Sequence, residues 1–157
     1  MRETADALER LDDAWRPFRA AIERLGPMGL ERATPAGWTA KEMLATVAFW
    51  DECVVPVLQY MLRGQEIPRR EWFGSGFMAP EDRDWPPDYE HNAREAEWAR
   101  GQPAEAVVAR AEQAHAAAAA MVASLPDEEA TQRAGYLKDQ CDHYGEHLAE
   151  LQASPGT

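Results

Sequence analysis

Two of the chain's four histidines, His143 and His147, stand one helical turn apart in Asp142-His143-Tyr144-Gly145-Glu146-His147-Leu148. Residues at i and i+4 share one face of a helix, so the two imidazoles can converge on a divalent ion such as zinc or nickel. Two donors are fewer than a working site requires, and the plain alternative is a half-exposed polar edge. The pair flanks an apolar stripe at Leu137, Cys141, Tyr144, Leu148 and Leu151, which aims the rings at a groove beside a neighbouring helix. Asp139, one turn before His143, shares that face as a weak ligand or an orienting carboxylate. Asp142 and Glu146 point away from the pair by helical geometry. His115 lies in the apolar stripe of its own helix and reads as a hydrogen-bonded core histidine; His91, in a first helical turn, reads as surface.

The elements that must position these groups are helical throughout. Leu8, Leu11, Trp15, Phe18, Ile22 and Leu25 recur at steps of three and four, predicting a helix from Thr4, its N-cap, to Gly26-Pro27, with a bend at Pro17. Thr39 and Glu42 have capping-box spacing, and Trp38 and Met43 that of a hydrophobic staple. A second helix therefore runs from Thr39 to Arg63-Gly64, bent at Pro56. The stretch from Gly64 to Pro87, rich in Gly, Pro, Trp and Phe, is a long connection that packs on the body and allows a crossover. Asp88 caps a segment over 89–100 that stops at Gly101 and restarts at Pro103. Its continuation, with small residues Ala116 to Ala120, ends near Pro126. The last helix spans about Ala134 to Gln152, before a frayed tail from Ser154 to Thr157. No run alternates with period two long enough for a strand, so the fold class is all-α, a four-helix bundle.

At 157 residues and 45% hydrophobic, the chain suits one domain over 1–157 with a proper core. A net charge of -12 repels phosphate backbones and anionic membranes, so nucleic acid and membrane are poor partners. There is no signal sequence or spanning run, and Cys53 and Cys141 form no CxxC pair; free buried thiols in a cytoplasmic protein fit best.

Trp38-Thr39-Ala40-Lys41-Glu42-Met43-Leu44-Ala45, continuing to Phe49-Trp50, resembles the start of the second helix in the DinB-like superfamily, which includes DinB, YfiT and mycothiol-dependent maleylpyruvate isomerase relatives. The His143-Tyr144-Gly145-Glu146-His147-Leu148 run is similar to that superfamily's last-helix motif. Tyr89-Glu90-His91-Asn92, opening a long helix that reaches Leu125-Pro126-Asp127, resembles its third helix. The resemblance implies an up-down-down-up bundle with a long crossover loop, often a homodimer, holding a divalent metal through three histidines. Two of them match His143 and His147. The third, eight residues after the tryptophan, falls on Thr46, a poor ligand for zinc or nickel. Glu42 is accounted for by its cap, while Asn92 matches a polar pocket position and Trp50 stands one turn beyond Thr46. The implied activity is small-molecule transfer or hydrolysis through a metal or a low-molecular-weight thiol. The alternative is a metal-free small-molecule binding or resistance protein on the same bundle. A third reading makes the aromatic loop from Trp72 to Trp85 an association surface.

Overall fold

The structure is a computed structural model that describes residues 2–64 and 88–153. The aromatic loop, the side-chain cap at Asp88 and the tail from Ser154 lie outside the described residues. Among the described residues the chain forms seven helical segments: α1 (Arg2–Leu30), α2 (Ala40–Glu52), α3 (Val54–Leu62), α4 (Asp88–Arg100), α5 (Ala104–Ala123), α6 (Asp127–Gln132) and α7 (Ala134–Gln152). They form no strand; Ala33 and Thr39 make one isolated bridge. The class is all-α, and no described helix is long and apolar enough to cross a membrane.

The helix ends follow local chemistry where that chemistry is strong. Thr39 accepts from the Glu42 N–H at 3.1 Å, and Glu42 accepts from the Thr39 N–H at 2.9 Å, completing the capping box. Gly26 is the break in α1, at φ 63°, a conformation open to glycine at little cost. Another turn follows it to Leu30, and Pro17 keeps helical dihedrals. The interruption expected at Pro56 comes instead at Cys53. Pro56 has no N–H for the Glu52 carbonyl and its ring crowds that group, so the helix restarts with the proline in its new first turn. Thr4 is not a cap. It sits inside the first turn of α1, where its N–H donates to Asp127 at 3.0 Å and its hydroxyl to the Leu125 carbonyl at 2.7 Å, tying α1 to the α5–α6 junction.

The stop at Gly101 and the restart at Pro103 fall where the sequence places them, with α4 ending at Arg100 and α5 beginning at Ala104. The two do not continue as the one long helix to Leu125 that the resemblance implies. The chain turns back there. Arg110 of α5 reaches Glu95 of α4 at 2.5 Å and lies 4.6 Å over the Trp98 ring, while also pairing with Glu52 of α2. Gly101 and Pro103 separate two helices that both pack on α2.

Directions follow from paired contacts. Lys41 meets the Gln102 carbonyl and Glu52 meets Arg110, so α2 and α5 run parallel. Trp50 meets Asn92 and Glu42 meets Arg100, so α2 and α4 run antiparallel. Trp38 meets Glu150 and Asp51 meets Tyr144, so α7 opposes α2. The core between them is built from Phe18, Met43, Leu44, Val47, Leu58, Val107, Val122 and Tyr144. Ala104, Ala111, Ala114 and Ala118 line the buried side of α5, where small side chains let helices approach closely. The two cysteines are free, Cys53 buried and Cys141 half-buried.

Candidate functional site

The antiparallel packing of α2 and α7 sets Trp38, just before the cap of α2, and Trp50, near its end, against the two histidines of α7. The Trp38 ring lies 5.9 Å from that of His147, and Trp50 shares a cleft with His143. Thr46 lies within α2, one turn before Trp50, 1% exposed. Its hydroxyl donates to the Met43 carbonyl one turn back at 2.7 Å, a usual resting place for a mid-helix threonine.

The histidine pair is wired end to end. His147 Nδ1 lies 3.1 Å from Glu150 Oε2, and its Nε2 lies 3.0 Å from Nε2 of His143. Glu150 is held in turn by the Trp38 indole N–H at 2.5 Å and the Thr34 hydroxyl at 3.0 Å, both on Oε1. Burial alone would raise the Glu150 carboxyl, but the hydrogen bonds from Trp38, His147 and Thr34 outweigh it and leave its pKa lowered. Burial, reinforced by the neighbouring His147, pushes His143 down to about 4, so its ring is neutral near pH 7.

The donors stop at two. Nitrogens sharing one tetrahedral zinc at about 2.0–2.1 Å stand roughly 3.3 Å apart, whereas 3.0 Å is an ordinary hydrogen bond. Among the described residues no group of three or more His, Cys, Asp or Glu is placed to hold a metal ion. The described residues alone therefore do not complete the three-ligand centre that the resemblance implies.

Beside the pair opens a cleft of about 350 Å³, lined by Trp50, Asn92, Asp139, Gln140, Asp142, His143 and Glu146. It gathers four of the six residues singled out from the sequence, from α2, α4 and α7. Thr46 and His147 are outside its lining. The Trp50 indole N–H donates to Asn92 Oδ1 at 2.9 Å, which fixes both side chains and turns the Asn92 amide NH₂ into a remaining donor. Asp142 and Glu146, expected to face away from the histidine pair, share this wall with His143, because the cleft spans more than one row of α7. Asp142 is also paired with Lys138 at 2.6 Å.

His91 corrects a second expectation. It is 1% exposed, stacked on Phe49 at 5.3 Å and edge-on to Trp50 at 5.7 Å. With α4 packed on α2, the side of α4 that carries His91 faces inward. His115 is the core histidine its position implied: Nδ1 lies 2.9 Å from the Tyr144 hydroxyl, and Trp15 stacks on the ring at 4.3 Å. That tyrosine donates to Asp51 at 2.5 Å, and Asp51 is 1% exposed.

Sequence reasoning passed over Glu150 and Asp51. Both left a signal. Glu150 is three residues past His147, on its face; Asp51 is four after Val47 and three before Val54, in step with the buried stripe of α2.

Neither a search of curated proteins nor one of solved structures gave a match. The family model for the DinB superfamily matches residues 10–151, nearly the whole chain, and on that span the protein belongs to the DinB superfamily.

Proposed function

We propose that this protein binds a small molecule, without a metal, in the cleft between α2, α4 and α7. The bundle that carries it is the up-down-down-up four-helix plan of its superfamily, with α2 and α3 counted as one helix and α4 as a flanking hairpin arm. The reading rests on one observation: Trp50, Asn92, Asp139 and His143, from three separate helices, line one cleft of about 350 Å³. That volume lies at the lower end of small-molecule sites. Trp50 offers a flat apolar wall, Asn92 a donor, Asp139 an acceptor and His143 a neutral imidazole. Thr46, turned to its own backbone, takes no part.

One observation favours a second reading, in which the protein is a transferase or hydrolase working through a divalent metal or a low-molecular-weight thiol. Nε2 of His143 and Nε2 of His147 converge, and Glu150 holds the far nitrogen of His147 as carboxylates do behind zinc-binding imidazoles. A small-molecule screen by thermal shift in the presence of chelator separates the two. A hit that survives chelator and is lost in His143→Ala supports metal-free binding. Hits that appear only with added zinc or nickel overturn it in favour of the second reading. A cytoplasmic homodimer belongs to the same proposal, and light scattering tests the dimer.

A further inference from the structure

We infer that Glu150 is a positioning residue that acts through His147 to make Nδ1 of His143 a hydrogen-bond acceptor, so that the ligand taken by the cleft presents an N–H or O–H group to it. The inference rests on the cleft reading only for the identity of the ligand; the wiring is independent of it.

The argument is one of proton placement along a chain with fixed ends. A carboxylate accepts and does not donate. Glu150 Oε1 already takes the Trp38 and Thr34 donors, and Oε2 faces Nδ1 of His147. Nδ1 of His147 must therefore carry a proton. In a neutral ring its Nε2 is then a lone pair, and the atom 3.0 Å away, Nε2 of His143, must supply the proton between them. That leaves His143 with its lone pair on Nδ1. Among the described residues Nδ1 of His143 has no hydrogen-bond partner, yet it is not among the side-chain atoms sealed from solvent without one. His143 forms part of the cleft wall. Nδ1 is thus the ring atom open to a ligand, and its state is set two residues away.

A metal on the pair would reverse the pattern. Both Nε2 atoms would then be lone-pair donors and His143 would carry its proton on Nδ1, so the tautomer of His143 reports on both questions.

Long-range ¹H–¹⁵N correlation spectra of the full-length ¹⁵N-labelled protein, at pH 8 with chelator, read the tautomers directly. The expected wild-type result is His147 protonated on Nδ1 and His143 on Nε2. In Glu150→Gln, the amide oxygen stays with Trp38 and Thr34, and the amide NH₂ turns to His147. Both rings are then expected to switch, leaving His143 protonated on Nδ1. Trp38→Phe removes a donor from Oε1 only, so it keeps the wild-type tautomers and controls for a general disturbance. Wild-type His143 protonated on Nδ1, or a Glu150→Gln spectrum with both tautomers unchanged, overturns the positioning role even if that variant is less stable. A cleft ligand bearing an N–H or O–H group whose affinity falls tenfold or more in Glu150→Gln supports the ligand class. A donor-free ligand bound equally by both proteins overturns it while leaving the tautomer result standing.

Discussion

Two hydrogen-bonded chains, each headed by an acidic side chain, pass through adjacent residues of α7, His143 and Tyr144, and end in different places. The outer one runs Glu150, His147, His143 and opens at the cleft. The inner one runs Asp51, Tyr144, His115 and on towards Asp12, whose carboxylate is 3.6 Å from Nε2 of His115. Both order an imidazole through an acidic side chain. The outer chain keeps one ring nitrogen without a protein partner among the described residues, whereas the inner chain spends its groups on one another under the Trp15 ring. An ordered group left open to a cleft can meet a ligand; an ordered group closed on its neighbours holds helices together. The inner chain joins α1, α2, α5 and α7, and it is the structural one.

That contrast is broken most directly at Tyr144. Tyr144→Phe leaves Asp51 buried without its hydrogen bond, and we expect a loss of about 3 kcal/mol in urea unfolding. A loss below about 1 kcal/mol would mean that the inner chain is not structural. Burial, with Glu52 adding to it and the Tyr144 bond opposing, raises the pKa of Asp51 from 3.8 to about 7. The folded state then holds a proton that the unfolded state gives up between about pH 4 and pH 7. Asp51 therefore contributes stability that is present below pH 4 and lost as pH rises towards 7. His115 and His143, both lowered by burial, act in the opposite sense over this window, losing stability as the pH falls. The clean measurement is the difference between Asp51→Asn and wild type. The variant should gain on wild type as pH rises from 4 to 7, with a ceiling of roughly 4 kcal/mol. A difference that is flat with pH refutes a protonated Asp51.

In the outer chain His143→Ala should cost about 1 kcal/mol or less, since the ring is half-buried and, among the described residues, hydrogen-bonded only to His147, while abolishing binding of any cleft ligand. Stability and binding thus separate in the outer chain and fall together in the inner one. The smallest effect belongs to Lys138→Ala. Its exposed pair with Asp142 is a surface contact, and the urea midpoint should not move.

Much of this architecture is written locally. The edges of α7, the Thr39–Glu42 box, the break at Gly26 and the core place of His115 all follow from helical period and caps, which act over three or four residues. The same local rules placed Asn92 and Trp50 near a site without indicating that they bond each other. They also misplaced His91, whose burial depends on α4 packing onto α2, and they marked the stop at Gly101 and the restart at Pro103 without telling a bend from a reversal, since a Gly-x-Pro step serves either.

The sequence by itself determined the all-α class, the capped start of α2, the bounds of α7 and the histidine pair, because each is a matter of neighbours on one helix. Only the tertiary structure decided what the pair does with its protons. Glu150 takes its character from Trp38 and Thr34, more than a hundred residues away. Asp51 becomes a core residue only once Tyr144, 93 positions on, reaches its carboxylate. A hydrogen bond depends on distance and direction in space, and no local period records which distant side chain will fill it.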